Sequence, residues 1–265
     1  MEFVSQNWIP GNFKSVPDTG RTVQIPSKLP EDIELSHDVV QHGWTPITTT
    51  TSVLGVVFES GVALAADTLT SYGSMACFQN NPRILTVNQN IIVAAAGEYS
   101  DYQFIRDVVE EKVRTEKSLN DGISMKPKAL HTWLSRVLYN RRTKMKPLWS
   151  TFLVAGIQND VPFLGEIDKL GTAFVDDQIA SGYGAYLALP LMRKAIDEKR
   201  EKFNSKLTKD EAVDLLKKCM EVLYYRDARS HDKYQIGIIT KDSVEVQNLA
   251  LKPRWEVAKL VQGYE

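Results

Sequence analysis

Apolar positions follow two rhythms along this chain. Over residues 52–58 and 62–66 they run almost unbroken, with Glu59-Ser60-Gly61 between the runs. Two short apolar runs, the first rich in β-branched residues, joined by a Gly-containing connection predict a hairpin of buried strands. Asp67 closes the second run, an unusual place for a carboxylate. The paired pattern recurs over 84–87 and 91–96 around Asn88-Gln89-Asn90, over 151–157 and 162–167 around Gln158-Asn159-Asp160, and over 234–240 and 244–249. Asn and Asp clusters between apolar runs are turn signals. Residues 71–78 read as one strand or extended turn, and a short strand is expected near 172–175.

The second rhythm is helical. Tyr102, Ile105, Val108, Val109 and Val113 predict a helix over about 99–117, and Leu130, Trp133, Leu134, Val137 and Leu138 predict one over about 127–143. The latter opens on Pro127, where a missing N–H costs nothing. Gly182-Tyr183-Gly184 opens a third helix with an apolar face including Leu187, Leu191 and Ile196. These glycines suit a tight strand-to-helix turn, because the lysine and hydroxyl of a phosphate loop are missing. Thr208-Lys209-Asp210-Glu211 is a capping box. It starts a helix through about Arg226, with Val213, Leu216, Met220 and Leu223 inward. Strands, two helices, strands, two helices, strands: this order predicts stacked sheets with helices outside, a layered α+β domain. Residues 1–46, punctuated by Pro10, Pro17, Pro26, Pro30 and Pro46, read as an irregular, partly extended leader.

Composition narrows the function classes. The 265 residues are 43% hydrophobic and 25% charged, ordinary for a globular chain, with nothing suggesting a second domain. A net charge of −1 gives no nucleic-acid footprint. Cys77 and Cys219 lie far apart without metal spacing, which suits a reducing compartment. No apolar run reaches the length of a membrane span, and no secretory signal is expected at the N-terminus. No metal or cofactor is expected.

The stretch Thr48-Thr49-Thr50-Thr51 before the first hairpin invites a chemical reading. If the chain were cut before a threonine, its hydroxyl would be a nucleophile and its α-amine, with an ordinary pKa near 8, the base. The plainer reading is that threonine favours strands. On the pattern alone the plainer reading wins.

Longer stretches alter that weighting. Thr51-Ser52-Val53-Leu54-Gly55 with Gly61-Val62-Ala63-Leu64-Ala65-Ala66-Asp67 resembles the opening of proteasome beta-type subunits. Ser71-Tyr72-Gly73-Ser74 and Ser181-Gly182-Tyr183-Gly184-Ala185-Tyr186 continue the resemblance, which extends over almost all of 51–265. The stretches 139–149 (YNRRTKMKPLW) and 222–230 (VLYYRDARS) resemble in particular a non-catalytic member, the one at the seventh beta position. The resemblance implies a four-layer αββα sandwich of N-terminal nucleophile hydrolase type. It also implies a leader over 1–50, at least partly removed, a beta-type domain over 51–249 and a C-terminal extension over 250–265.

The resemblance also implies a site, position by position. Thr51 takes the nucleophile's place, but Thr50 stands where catalytic members have the glycine before the cut. A branched residue there restricts the backbone that glycine allows. Asp67 matches the family carboxylate. Arg83 stands where catalytic members have a lysine, and arginine is a poor proton-transfer partner. Asp227 and Ser230 match the aspartate and serine that support the amine, although Asp227 could instead pair with Arg226 or Arg229. Tyr183 replaces a further serine. A set broken at three members is expected to be a vestigial site, with no catalytic residue active. The expected role is structural, with other proteasome beta and alpha subunits and the opposite beta ring as partners, neither nucleic acid nor membrane, and a cytoplasmic and nuclear location. Expected interface residues are Arg141, Arg142 and Lys144 of the basic cluster, Trp149 behind it, and Trp255 in the extension. Two competitors stand beside this expectation: an active threonine peptidase with Thr51 as its N-terminus, and a homomeric self-assembling hydrolase of the same fold.

Overall fold

The computed structural model describes residues 46–254. The first apolar hairpin is strands β2 (Val53–Phe58) and β3 (Gly61–Asp67), preceded by a three-residue strand β1 (Thr48–Thr50). Next come β4 (Thr70–Tyr72), β5 (Met75–Phe78), β6 (Ile84–Asn88) and β7 (Ile91–Gly97), then helices α1 (Tyr99–Leu119) and α2 (Pro127–Thr143). Strands β8 (Ser150–Gln158), β9 (Val161–Ile167), β10 (Ala173–Val175) and β11 (Gln178–Ala180) lead to α3 (Gly184–Leu187), α4 (Leu189–Phe203) and α5 (Lys209–Arg226). Strands β12 (Lys233–Thr240) and β13 (Val244–Ala250) close the described chain.

Two five-stranded antiparallel sheets form the centre, ordered β10-β9-β8-β7-β6 and β11-β2-β3-β12-β13. Helices α1 and α2 bury Tyr102, Ile105, Leu130 and Leu134 on the first sheet. Helices α4 and α5 bury Met192, Leu216 and Met220 on the second. Between the sheets lie Val53, Leu64, Ile92 and Leu153. The result is the expected four-layer αββα sandwich. It explains the unbroken apolar runs: in β2, Leu54, Val56 and Phe58 face the helices while Val53 and Val57 face the other sheet. A strand covered on both faces has no polar side to alternate with. The edge strand β13 is covered less, and polar residues recur along it.

Two expectations need correcting. Residues 71–78 are two strands, not one: Gly73 at φ +57° turns β4 into β5, and a third, three-stranded sheet runs β1-β4-β5. All of β5 is exposed, so no burial pattern marked it. Leu191 is not on the inward face of α4; Met192 is buried there and Leu191 is exposed. The strands β1 and β11, three residues each, were too short for a periodic signal. The capping box holds: the Glu211 N–H donates to Thr208 Oγ1 at 3.4 Å and Glu211 Oε2 accepts from the Thr208 N–H at 2.9 Å.

Candidate functional site

Thr51 sits where β1 gives way to β2, beside the end of β3. Its hydroxyl donates to Asp67 Oδ2 at 2.5 Å. Asp67 is completely buried. Burial raises its carboxyl above the ordinary value, opposed first by the Arg83 guanidinium and then by hydrogen bonds from the Thr51 hydroxyl and the backbone near Leu69 and His231. Arg83, just before β6, is also completely buried. Its Nη2 reaches Asp67 Oδ1 at 2.5 Å, Ser52 O at 3.1 Å and Thr51 Oγ1 at 3.2 Å. Its Nη1 donates to Thr51 O at 2.8 Å and Ala95 O at 3.3 Å, and its Nε to Asp67 O at 2.7 Å. A guanidinium has five N–H donors, and here each has an acceptor. The cation is therefore fixed in place by the Thr51–Ser52 link before β2, by β3 and by β7 together, and the Thr51 hydroxyl both donates to a carboxylate and accepts from a cation.

The turn into α3 forms the facing wall. Gly182 at φ +60° bends the chain, as the sequence pattern predicts. Ser52 Oγ accepts from the Gly184 N–H at 2.8 Å, and Ser181 Oγ accepts from the Val53 N–H at 3.0 Å. A side chain on Gly184 would press on Leu54 and Ser52, so this glycine is required by close approach. Tyr183 is 64% exposed at the lip. Asp227 caps α5; its Oδ1 accepts from the Arg229 backbone N–H at 2.9 Å. Asp227 is thus bonded to Arg229, one of its two expected partners, through that residue's backbone N–H. Ser230 Oγ is buried with no hydrogen-bond partner among the described residues. Thr49, Thr50, Thr51, Ser181, Tyr183, Asp227 and Arg229 line one open cleft of about 260 Å³. Thr51, Asp67 and Arg83 are in direct contact, while Asp227 and Tyr183 share the cleft without bonding to them.

One wall of this cleft is a strand whose pairing the sequence did not show. Strand β1 pairs antiparallel with β4, Thr48 opposite Tyr72 and Thr50 opposite Thr70. On its other side Thr50 Oγ1 donates to Gly97 O at 3.0 Å and Thr49 bridges to Glu98. The chain's own backbone lies as a strand along the wall of the cleft and leads into Thr51. The one signal for it was the strand preference of the four threonines; its pairing partners are distant in sequence.

The expected interface cluster lies on the α1/α2 side. Arg141 and Arg142 occupy the last turn of α2. The Arg141 guanidinium lies 5.4 Å from the Phe104 ring centroid, and that of Arg142 5.8 Å from Tyr139. Lys144 is the exposed C-cap. Trp149 is half-buried; its backbone N–H donates to Asp101 Oδ2 at 2.7 Å and Lys169 covers its ring at 3.8 Å. Trp255 lies outside the described residues. No group of three or more His, Cys, Asp or Glu among the described residues is arranged to hold a metal ion. No described helix is long and apolar enough to cross a membrane.

The profile of a family described as "Proteasome subunit" matches residues 47–239. The chain belongs to the proteasome subunit family. The match starts beside β1 and spans the whole Thr51–Asp67–Arg83 cluster. A Xenopus laevis protein named proteasome subunit beta type-4 is 48% identical over 227 residues, covering 85% of this chain and 92% of that one. A Drosophila melanogaster protein of the same name is 38% identical over 258 residues, covering 96% and 93%. A Saccharomyces cerevisiae protein named proteasome subunit beta type-7 is 36% identical over 232 residues, covering 83% and 85%. This member of the proteasome family thus resembles relatives over nearly their full length.

Proposed function

We propose that this chain is a non-catalytic beta subunit of the 20S proteasome core particle, at the seventh beta position, working in ubiquitin-dependent protein degradation in cytoplasm and nucleus. It would support beta-ring assembly beside other beta and alpha subunits and contact the opposite ring. The names of its relatives support the beta assignment. The observation that carries the non-catalytic reading is Arg83. Catalytic members of the resembled family have a lysine here, which can exchange a proton; a buried guanidinium with every N–H bonded stays charged and immobile. Thr50 in place of glycine, and Tyr183 in place of a serine, add to it. In this reading residues 1–50 are a leader, at least partly removed, 51–249 form the beta-type domain, and 250–265, with Trp255, reach across to the opposite ring.

Intact mass and N-terminal sequencing of the chain from native core particles test the reading, together with a threonine-directed electrophile. The expected chain begins upstream of Thr51 and is not labelled. Core particles carrying Thr51→Ala should keep every peptidase activity of the parent. The second reading, an active threonine peptidase, is favoured by the retained 2.5 Å bond between Thr51 Oγ1 and Asp67. A chain starting at Thr51 and labelled there, with one activity lost in Thr51→Ala, would establish it instead.

A further inference from the structure

Glu98 follows β7 and is the N-cap of α1, with backbone φ −71° and ψ 122°. A carboxylate at this position ordinarily accepts from its own helix's first N–H groups. This one makes no such bond. It turns instead to residues some fifty positions upstream. Oε2 accepts from the Ile47 N–H at 2.6 Å and the Thr48 N–H at 3.0 Å. Oε1 accepts from the Thr48 hydroxyl, from the Thr48 N–H at 3.2 Å, and from Ser100 Oγ at 3.0 Å. Its backbone is fixed independently: the Glu98 N–H donates to Trp149 O at 2.8 Å, and Glu98 O accepts from Ser150 Oγ at 2.9 Å. Gly97, at φ +107°, sets the bend that aims the side chain; a Cβ there would overlap the Trp149 carbonyl.

We infer that Glu98 is a latch that holds residues 47–50 as a strand along the wall of the Thr51 cleft, fixing the register of the chain that leads into Thr51. Three features separate the latch from an incidental contact. The side chain is buried although Ile47 itself is exposed. Its acceptors are matched to two successive backbone N–H groups, an arrangement that fixes register as well as position. Charge-assisted bonds of this kind are about twice as strong as neutral ones, whereas the ladder of β1 with β4 is only three residues long.

The inference rests on the proposed function in one respect, that the chain begins upstream of Thr51. Core particles carrying the full-length chain are compared as parent, Glu98→Gln and Thr48→Val. Intact mass comes first, then hydrogen exchange read by mass spectrometry. Glutamine keeps the shape but turns an NH₂ group or a single weaker oxygen toward the upstream N–H groups. Exchange across 46–50 should rise roughly tenfold or more in Glu98→Gln and less in Thr48→Val, which removes one O–H donor, while β2 and β3 stay protected. Should Glu98→Gln fail to assemble, Thr48→Val decides. Unchanged exchange at 46–50 in an intact chain overturns the latch and leaves the proposed function standing. Equal acceleration throughout the domain also overturns it. A mass beginning at Thr51 removes the strand altogether and overturns the proposed function with it.

Discussion

Arg83 bears on more than one fate of the site. It neutralises Asp67 and occupies the hydroxyl of Thr51, so removing it strands a buried carboxylate. Arg83→Met is expected to cost about 3–5 kcal/mol, whereas the double change Arg83→Met with Asp67→Leu should cost less than the single one. Urea unfolding of the full-length chain reads both. A second, half-buried carboxyl gives a pH signature. Glu166 on β9 pairs across to Leu153 in a region that faces the other sheet. Burial, then the neighbouring Asp168, pushes its carboxyl from 4.5 to about 7. The folded chain therefore binds this proton more tightly than the unfolded one. Its contribution to stability is whole below pH 4.5 and is lost as pH rises toward about 7. Allowing for its half-buried position, about 2–3 kcal/mol should be lost over that window and be absent in Glu166→Gln. Sequence made Thr51, Asp67 and Arg83 legible because each borders a recognisable apolar run, Thr51 and Arg83 just before one and Asp67 at the end of one. Glu98 was not, since nothing local distinguishes a carboxylate that caps its helix from one that reaches fifty residues back.

Among the elements, α5 was the most legible and the reason is local. Its capping box and its inward row at helical spacing agree. The box also ties α5 to α4, because Glu211 Oε1 accepts from Lys199 Nζ at 2.6 Å. Thr208→Ala should cost about 1 kcal/mol, seen as a lower thermal midpoint with no change at the Thr51 cleft. Strand β1 shows the opposite case. Four threonines carry no periodicity, and the strand exists only because β4 and Glu98 are placed beside it by residues distant in sequence. Elements made by tertiary partners leave no trace in a window of neighbours, which is also why β11 and the β4–β5 turn went unseen.

At the scale of the whole molecule, layer order was readable because continuous apolar strands demand cover on two faces. What lies beyond the outer surface was not readable from packing. The α2 terminus presents Arg142 over Tyr139 and the exposed Lys144. If this patch meets a neighbouring subunit, Arg142→Glu with Lys144→Glu should lower the share of the chain found in assembled core particles severalfold while leaving its folding unchanged, as sedimentation of tagged chain would report. The Arg83 cluster has a consequence on another timescale. Changing arginine to lysine is a small step in the genetic code. In this setting it leaves three donors where Asp67, Thr51, Ser52 and Ala95 now offer six acceptors. A single substitution at this position therefore breaks more bonds than it can remake, so change here is tolerated only together with changes at its partners. The position behaves as a ratchet: a tie between two sheets, once made, is undone only by several changes at once.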